Sequence, residues 1–270
     1  MIMEMALKAV ILGIVEGITE FLPISSTGHL IICNKFINFT GSFANMFDVV
    51  IQLGAILSVV VYFWKRLFPF GKESAPGMNA AIIDTWKKTL AGVSPALVLG
   101  ALFGGVVEER LFNPVTVAVM LLLGGIALII IESRKISVKT ATVNAMTYRL
   151  AIAVGLFQCI AMIPGTSRSA ATIISAMLLG VSRVAAAEYS FFLAIPTMVA
   201  ASGYSLLKTG GSLSTSEWFT LGVGFVVSFF TAWAVIALFM RYIQTHDFKP
   251  FGWYRIVLGV VVLVFMAFGK

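Results

Sequence analysis

Residues 13–29 read Gly13-Ile14-Val15-Glu16-Gly17-Ile18-Thr19-Glu20-Phe21-Leu22-Pro23-Ile24-Ser25-Ser26-Thr27-Gly28-His29, an apolar run stopped by a proline and a row of hydroxyls. Apolar sequence surrounds this break on both sides, over residues 5–39. Residues 147–182 repeat the pattern around Pro164-Gly165-Thr166-Ser167-Arg168-Ser169. Non-helical backbone at membrane depth survives only where protein or a wet cavity shields it. Each region therefore reads as a re-entrant helix–turn–helix pair rather than as a simple crossing.

The rest of the chain supports a membrane setting. Of 270 residues 59% are hydrophobic and only 11% charged, against about 25% in a soluble domain. Disorder needs low hydrophobicity and high net charge, and is excluded. The net charge of +7 is not gathered into one patch, so no nucleic-acid partner is expected. Continuous apolar runs argue for helices, not a barrel. Cys33 and Cys159 sit in apolar stretches and are expected to be buried packing thiols. The first apolar run holds Glu16 and Glu20 and lacks the leader and cleavage site of a signal peptide.

A crossing needs about 20 mostly apolar residues. The runs 46–64, 90–107, 115–131, 185–206, 218–240 and 253–268 meet that need, the last helped by the interface aromatics Trp253 and Tyr254. Basic residues gather in 65–88 (Lys65, Arg66, Lys72, Lys87, Lys88), in 132–149 (Arg134, Lys135, Lys139, Arg149) and in 241–252 (Arg241, Lys249). By the positive-inside rule these loops are cytoplasmic, and both termini are expected outside. The first broken pair then enters from outside and the second from the cytoplasm.

That opposition matches an internal repeat. Gly13-Ile14-Val15-Glu16 aligns with Gly155-Leu156-Phe157-Gln158 at an offset of 142, and, after a gap, Pro23-Ile24-Ser25-Ser26 with Pro164-Gly165-Thr166-Ser167 at 141. Asp48 matches Glu188, and Phe112-Asn113-Pro114 matches Phe248-Lys249-Pro250. The expected fold is an all-α integral membrane protein, a single domain over 1–270. It is an inverted repeat of about 1–135 and 140–270, each half a re-entrant pair plus three transmembrane helices, ten helices in all. Such repeats place their site at the repeat interface near mid-membrane.

Glu16 and Glu20 stack on one helix face, and a charge at the bilayer centre costs about 2.5–3.5 kcal/mol on insertion scales. A bound cation, a shared proton or a basic partner would offset both burial and repulsion. The turn offers Ser25, Ser26, Thr27 and His29, groups suited to nucleophile, general acid and general base. Arg168, between Ser167 and Ser169 at a helix start, needs an anion; a guanidinium fork with hydroxyls and turn amides suits phosphate. A salt bridge to Glu16 or Glu20 would serve Arg168 as well. If the turns meet, acid/base groups face an anion clamp, which suggests phosphoryl transfer on a membrane-borne phosphate ester.

The stretches Glu16–His29 and Pro164–Thr172 resemble the two signature motifs of the bacterial undecaprenyl-diphosphate phosphatase (bacitracin-resistance protein) family, with no departure in either. Motif spacing, length and span count agree from end to end. The resemblance implies hydrolysis of the lipid carrier undecaprenyl diphosphate to the monophosphate, in the bacterial plasma membrane at an outward-facing site. It also implies a divalent cation, Mg²⁺ or Ca²⁺. On this basis Glu16 and Glu20 are expected to hold the metal. Arg168, with Ser167 and the turn amides of Gly165, Thr166 and Ser169, would hold the phosphoryl oxygens. Ser26 is the first choice as nucleophile, activated by Glu20 and assisted by His29, with Ser25 and Thr27 binding substrate. A phosphohistidine at His29 and direct attack of water are the alternatives.

Gln52 either lines the cavity or makes packing hydrogen bonds, and Gln158, the repeat partner of Glu16, is expected to help hold the site. Arg183 and Glu188 are expected to pair or to anchor the interface. The Gly13/Gly17 and Gly100/Gly104 spacings read as close helix packing. The partners expected are the polyprenyl diphosphate and membrane lipid, with a homodimer as one assembly option. The competing function is a secondary transporter or lipid flippase.

Overall fold

A computed structural model describes residues 2–69, 77–134 and 136–268; Lys72 and Lys135 lie outside them. Among the described residues are the α-helices α1 (Ile2–Thr19), α2 (Ser26–Ile37), α3 (Ser42–Tyr62), α4 (Trp64–Leu67), α5 (Met78–Leu111) and α6 (Pro114–Ser133), then α7 (Tyr148–Gln158), α8 (Arg168–Leu178), α9 (Arg183–Thr209), α10 (Thr215–Tyr242) and α11 (Lys249–Phe268). Six of them, α3, α5, α6, α9, α10 and α11, are long and apolar enough to cross a membrane. The chain is an all-α, multi-pass membrane protein. The single-turn α4 is the one α-helix beyond the ten expected. The second span also starts earlier than expected, at Met78. Lys87 and Lys88 end the apolar run but not the helix, because lysine is a good helix former, and Lys88 pairs there with Asp84 at 2.6 Å.

The helix pairings repeat. α1 packs on α10 as α7 packs on α5; α1 meets α2 as α7 meets α8; α3 lies against α9 and α6 against α11. Exchanging α1 with α7, α2 with α8, α3 with α9, α5 with α10 and α6 with α11 preserves these pairings, the pattern of two similar halves about a two-fold axis. The two turns are equivalent in detail. Ser25 (φ 73°) caps α2 by accepting from Gly28 N, and Ser167 (φ 68°) caps α8 by accepting from Ala170 N. Ser25 and Ser167 are 142 residues apart, as are Gly13 and Gly155. The alignment gap was therefore a one-residue slip, and Ser26 is the counterpart of Arg168.

Gly13 and Gly17 do lie at a close crossing, where added Cβ atoms would come within 2.8 Å of Gly224 O and Ser228 O on α10. Gly100 and Gly104 instead face open space: among the described residues an added Cβ would meet nothing within 4 Å. Arg183 and Glu188 do not pair. Five residues apart, they leave α9 on different faces; Arg183 forks onto Glu132 and Glu188 takes Arg66 at 2.7 Å. The cysteines are unlinked and half-buried rather than buried.

The most enclosed span is α9, with 67% of its apolar window buried, and the least is α5, with 11%. The site therefore lies against a central helix and is walled on one side by a peripheral one. Phe21, which directly follows Glu20, is fully buried and stacks edge-on against Phe191 of α9, ring centroids 5.1 Å apart. This contact seats the first turn on the core.

Candidate active site

Two features bring both turns to one place. Proline at 23 and at 164 ends helical continuation. A serine in the left-handed region then restarts each helix, so the N-termini of α2 and α8 point into the same space. Gly165 (φ +89°) could carry no side chain, since a Cβ there would lie 2.5 Å from Val117 O of α6. First-turn amides without intrahelical partners, twice over, make that space favourable to anions.

Glu20 occupies the junction. Its Oε1 accepts from Arg168 Nη2 at 3.2 Å and its Oε2 from Ser26 Oγ at 2.5 Å. Arg168 Nη1 donates to Ser190 O of α9 at 2.7 Å, and Thr172 Oγ1 donates to Ser190 Oγ. One side of the guanidinium is thus tied to the scaffold and the other to the carboxylate. Its Nε is buried without a hydrogen-bond partner among the described residues. Glu20, Ser26 and Arg168 line a cavity of about 830 Å³ together with Ser25, Thr27 and Gln52. Gln158, Gly165 and Ser167 complete its polar wall. The cavity continues between α5 (Leu97, Gly100, Gly104) and α9 (Thr197, Ala201, Tyr204), ending at Lys208. Gly100 and Gly104 therefore widen the cavity.

Four expected site residues do not reach the cavity wall. His29 turns to α11: its Nδ1 is 2.7 Å from Ser25 O and its Nε2 is 2.7 Å from Tyr254 Oη. A carbonyl only accepts, so Nδ1 carries a proton, and in the neutral ring Nε2 accepts from the tyrosine. Both ring nitrogens are thus engaged in holding the turn. Ser169 Oγ donates to Leu22 O at 2.9 Å, pinning the second turn to the first. Thr166 Oγ1 bonds Ile163 O within its own turn. Glu16 is fully buried outside the cavity lining, beside the Glu20 carboxylate, and neither of its oxygens has a hydrogen-bond donor among the described residues.

One residue was missed. Arg255 of α11 is fully buried, and among the described residues its guanidinium donates only to backbone carbonyls: Leu121 and Met120 of α6, and Pro23 and Gly165 of the two turns. The signal was an arginine inside the sixth apolar span, overlooked beside an aromatic pair that looked interfacial.

The profile of the family described as bacitracin resistance protein BacA matches residues 9–261. The chain belongs to that family. It is 51% identical over 260 residues to undecaprenyl-diphosphatase 1 of Clostridioides difficile (strain 630), covering 96% of this chain and 95% of that one. It is 49% identical over 267 residues to undecaprenyl-diphosphatase of Enterococcus faecalis, with 97% of each covered. Undecaprenyl-diphosphatase of Thermoanaerobacter sp. (strain X514) is 48% identical over 266 residues, with 98% of each covered.

Proposed function

We propose that the protein hydrolyses undecaprenyl diphosphate to undecaprenyl phosphate and inorganic phosphate, recycling the carrier for cell-wall polymers and conferring bacitracin resistance. The observation that carries this is the chain Ser26–Glu20–Arg168 on the cavity wall: a hydroxyl bonded to a base, and the same base bonded to an anion-binding fork. Family membership and the names of the relatives support the substrate.

In the first step Ser26 Oγ attacks the terminal phosphorus while its proton passes to Glu20 Oε2. The bond from that phosphorus to the bridging oxygen breaks, and undecaprenyl phosphate leaves with the bonding pair. Water then attacks the phosphoserine, restoring Ser26 and releasing inorganic phosphate. Arg168 turns its Nη2 from Glu20 to the phosphoryl oxygens and stabilises the charge that builds there. Ser25, Thr27, Ser167 and the first-turn amides of α2 and α8 complete the anion cradle. His29, Ser169 and Thr166 hold the turns.

The unpartnered oxygens of buried Glu16 fit a divalent cation held by Glu16 and Glu20. Two carboxylates suffice only if the diphosphate supplies further oxygen ligands, as is usual for Mg²⁺. Once bound, Mg²⁺ or Ca²⁺ neutralises diphosphate charge. The prenyl tail lies between α5 and α9, where the cavity is apolar. The two halves are inverted, the cavity opens to the outer side, and both termini face outward.

Phosphate release by purified protein in detergent tests the function. Release is expected, and EDTA is expected to abolish it and Mg²⁺ or Ca²⁺ to restore it. No release from active-folded protein would favour a transporter, which needs a sealed membrane. For orientation, a cysteine at Ile2 is expected to react with an impermeant thiol reagent from outside intact cells. Labelling only after permeabilisation would reverse the topology.

A further inference from the structure

We propose that Arg255 is a positioning residue that fixes Ser26 and Arg168 relative to each other by clamping both re-entrant turns. This rests on the site reading above. The carbonyls it holds in the turns, Pro23 O at 3.2 Å and Gly165 O at 3.1 Å, are 142 residues apart and so occupy equivalent places in the two halves. Three residues after each comes the group that does chemistry: Ser26 after Pro23, and Arg168 after Gly165. A single planar fork thus ties the same point of both turns to one body, and Nε and Nη2 tie that body to Leu121 O and Met120 O of α6.

Two physical consequences follow. Pro23 and Gly165 are buried, so without Arg255 their carbonyls would lose a hydrogen-bond partner, and each turn would relax separately. A carbonyl that swung toward the cavity would also repel the diphosphate. Arg255 has no carboxylate partner among the described residues, so ion pairing does not explain its burial. The neighbouring Tyr254 bonds His29, and α11 thereby grips the first turn at a second point. Gly124 of α6 makes room for the fork: a Cβ there would fall on Nη2 and lie 2.7 Å from Cζ.

Purified full-length variants in detergent test the clamp by steady-state phosphate release. Arg255→Met is expected to lower kcat about 100-fold, the scale of a misplacement near 1 Å, with KM changed less than about threefold because the anion-binding groups remain. Arg255→Lys, which cannot span both turns, is expected to recover only a minor part. Gly124→Ala keeps the arginine but displaces its fork. It is expected to lower kcat about tenfold or more in protein shown to be folded at the assay temperature, and to have no further effect in the Arg255→Met background. Wild-type kcat in Gly124→Ala, or a raised KM at unchanged kcat in Arg255→Met, would overturn the proposal. If Arg255→Met does not fold, Gly124→Ala alone decides. Ser26→Ala assayed in parallel separates the two levels: full activity there refutes the site reading, whatever Arg255 does.

Discussion

Replacing Arg168 with alanine is expected to lower phosphate release about 1,000-fold or more, the scale on which an arginine stabilises a phosphoryl-transfer transition state. The change removes both the fork and the cation facing Glu20, whose Oε1 would lose its partner. Breaking a buried ion pair costs about 3–5 kcal/mol, so the variant must first be shown monodisperse and folded. Arg168→Lys is the companion. It keeps the charge but not the planar fork that spans Ser190 O and the carboxylate, and an intermediate loss is expected. Near-normal turnover in either folded variant would remove the anion clamp from the mechanism.

Ser26→Ala is expected to cost at least about 10⁴-fold in kcat, since loss of a covalent nucleophile elsewhere costs up to about 10⁶-fold. Its effect on folding should be small. Ser26 donates one side-chain hydrogen bond, to Glu20, while Ser25 caps the helix, so α2 keeps its N-terminus. Glu20 would retain Arg168 as its partner. If Ser26→Ala keeps most activity, water or another group attacks phosphorus, and Glu20 acts on that nucleophile instead.

Much of this was legible in the sequence, because hydropathy, proline and loop charge are local properties. The six spans and both broken regions came from such signals, and Glu16, Glu20, the hydroxyl-rich turn and Arg168 stood out as polar groups inside apolar sequence. What escaped depends on distant neighbours. His29 sits among hydroxyls in sequence, yet the partner that orients it, Tyr254, is 225 residues away. Arg255 followed Trp253 and Tyr254, which mark a membrane interface, and only the packing of α11 on α6 drives it inward between the turns. Gly100 and Gly104 share the spacing of Gly13 and Gly17. The difference is that α10 crosses the second pair, whereas a cavity faces the first. The early start of α5 was hidden because hydropathy reports where a helix is apolar, not where it begins.

The central claim is that Ser26 takes the phosphoryl group from a lipid diphosphate. Purified protein should be mixed with undecaprenyl diphosphate carrying ³²P in its terminal phosphate, quenched within milliseconds into acid and, in parallel, into alkaline denaturant, and digested. The account predicts acid-stable, alkali-labile label on the peptide containing Ser26, and none in Ser26→Ala. Acid-labile, alkali-stable label on His29, or phosphate release without labelled protein at any quench time, would contradict it.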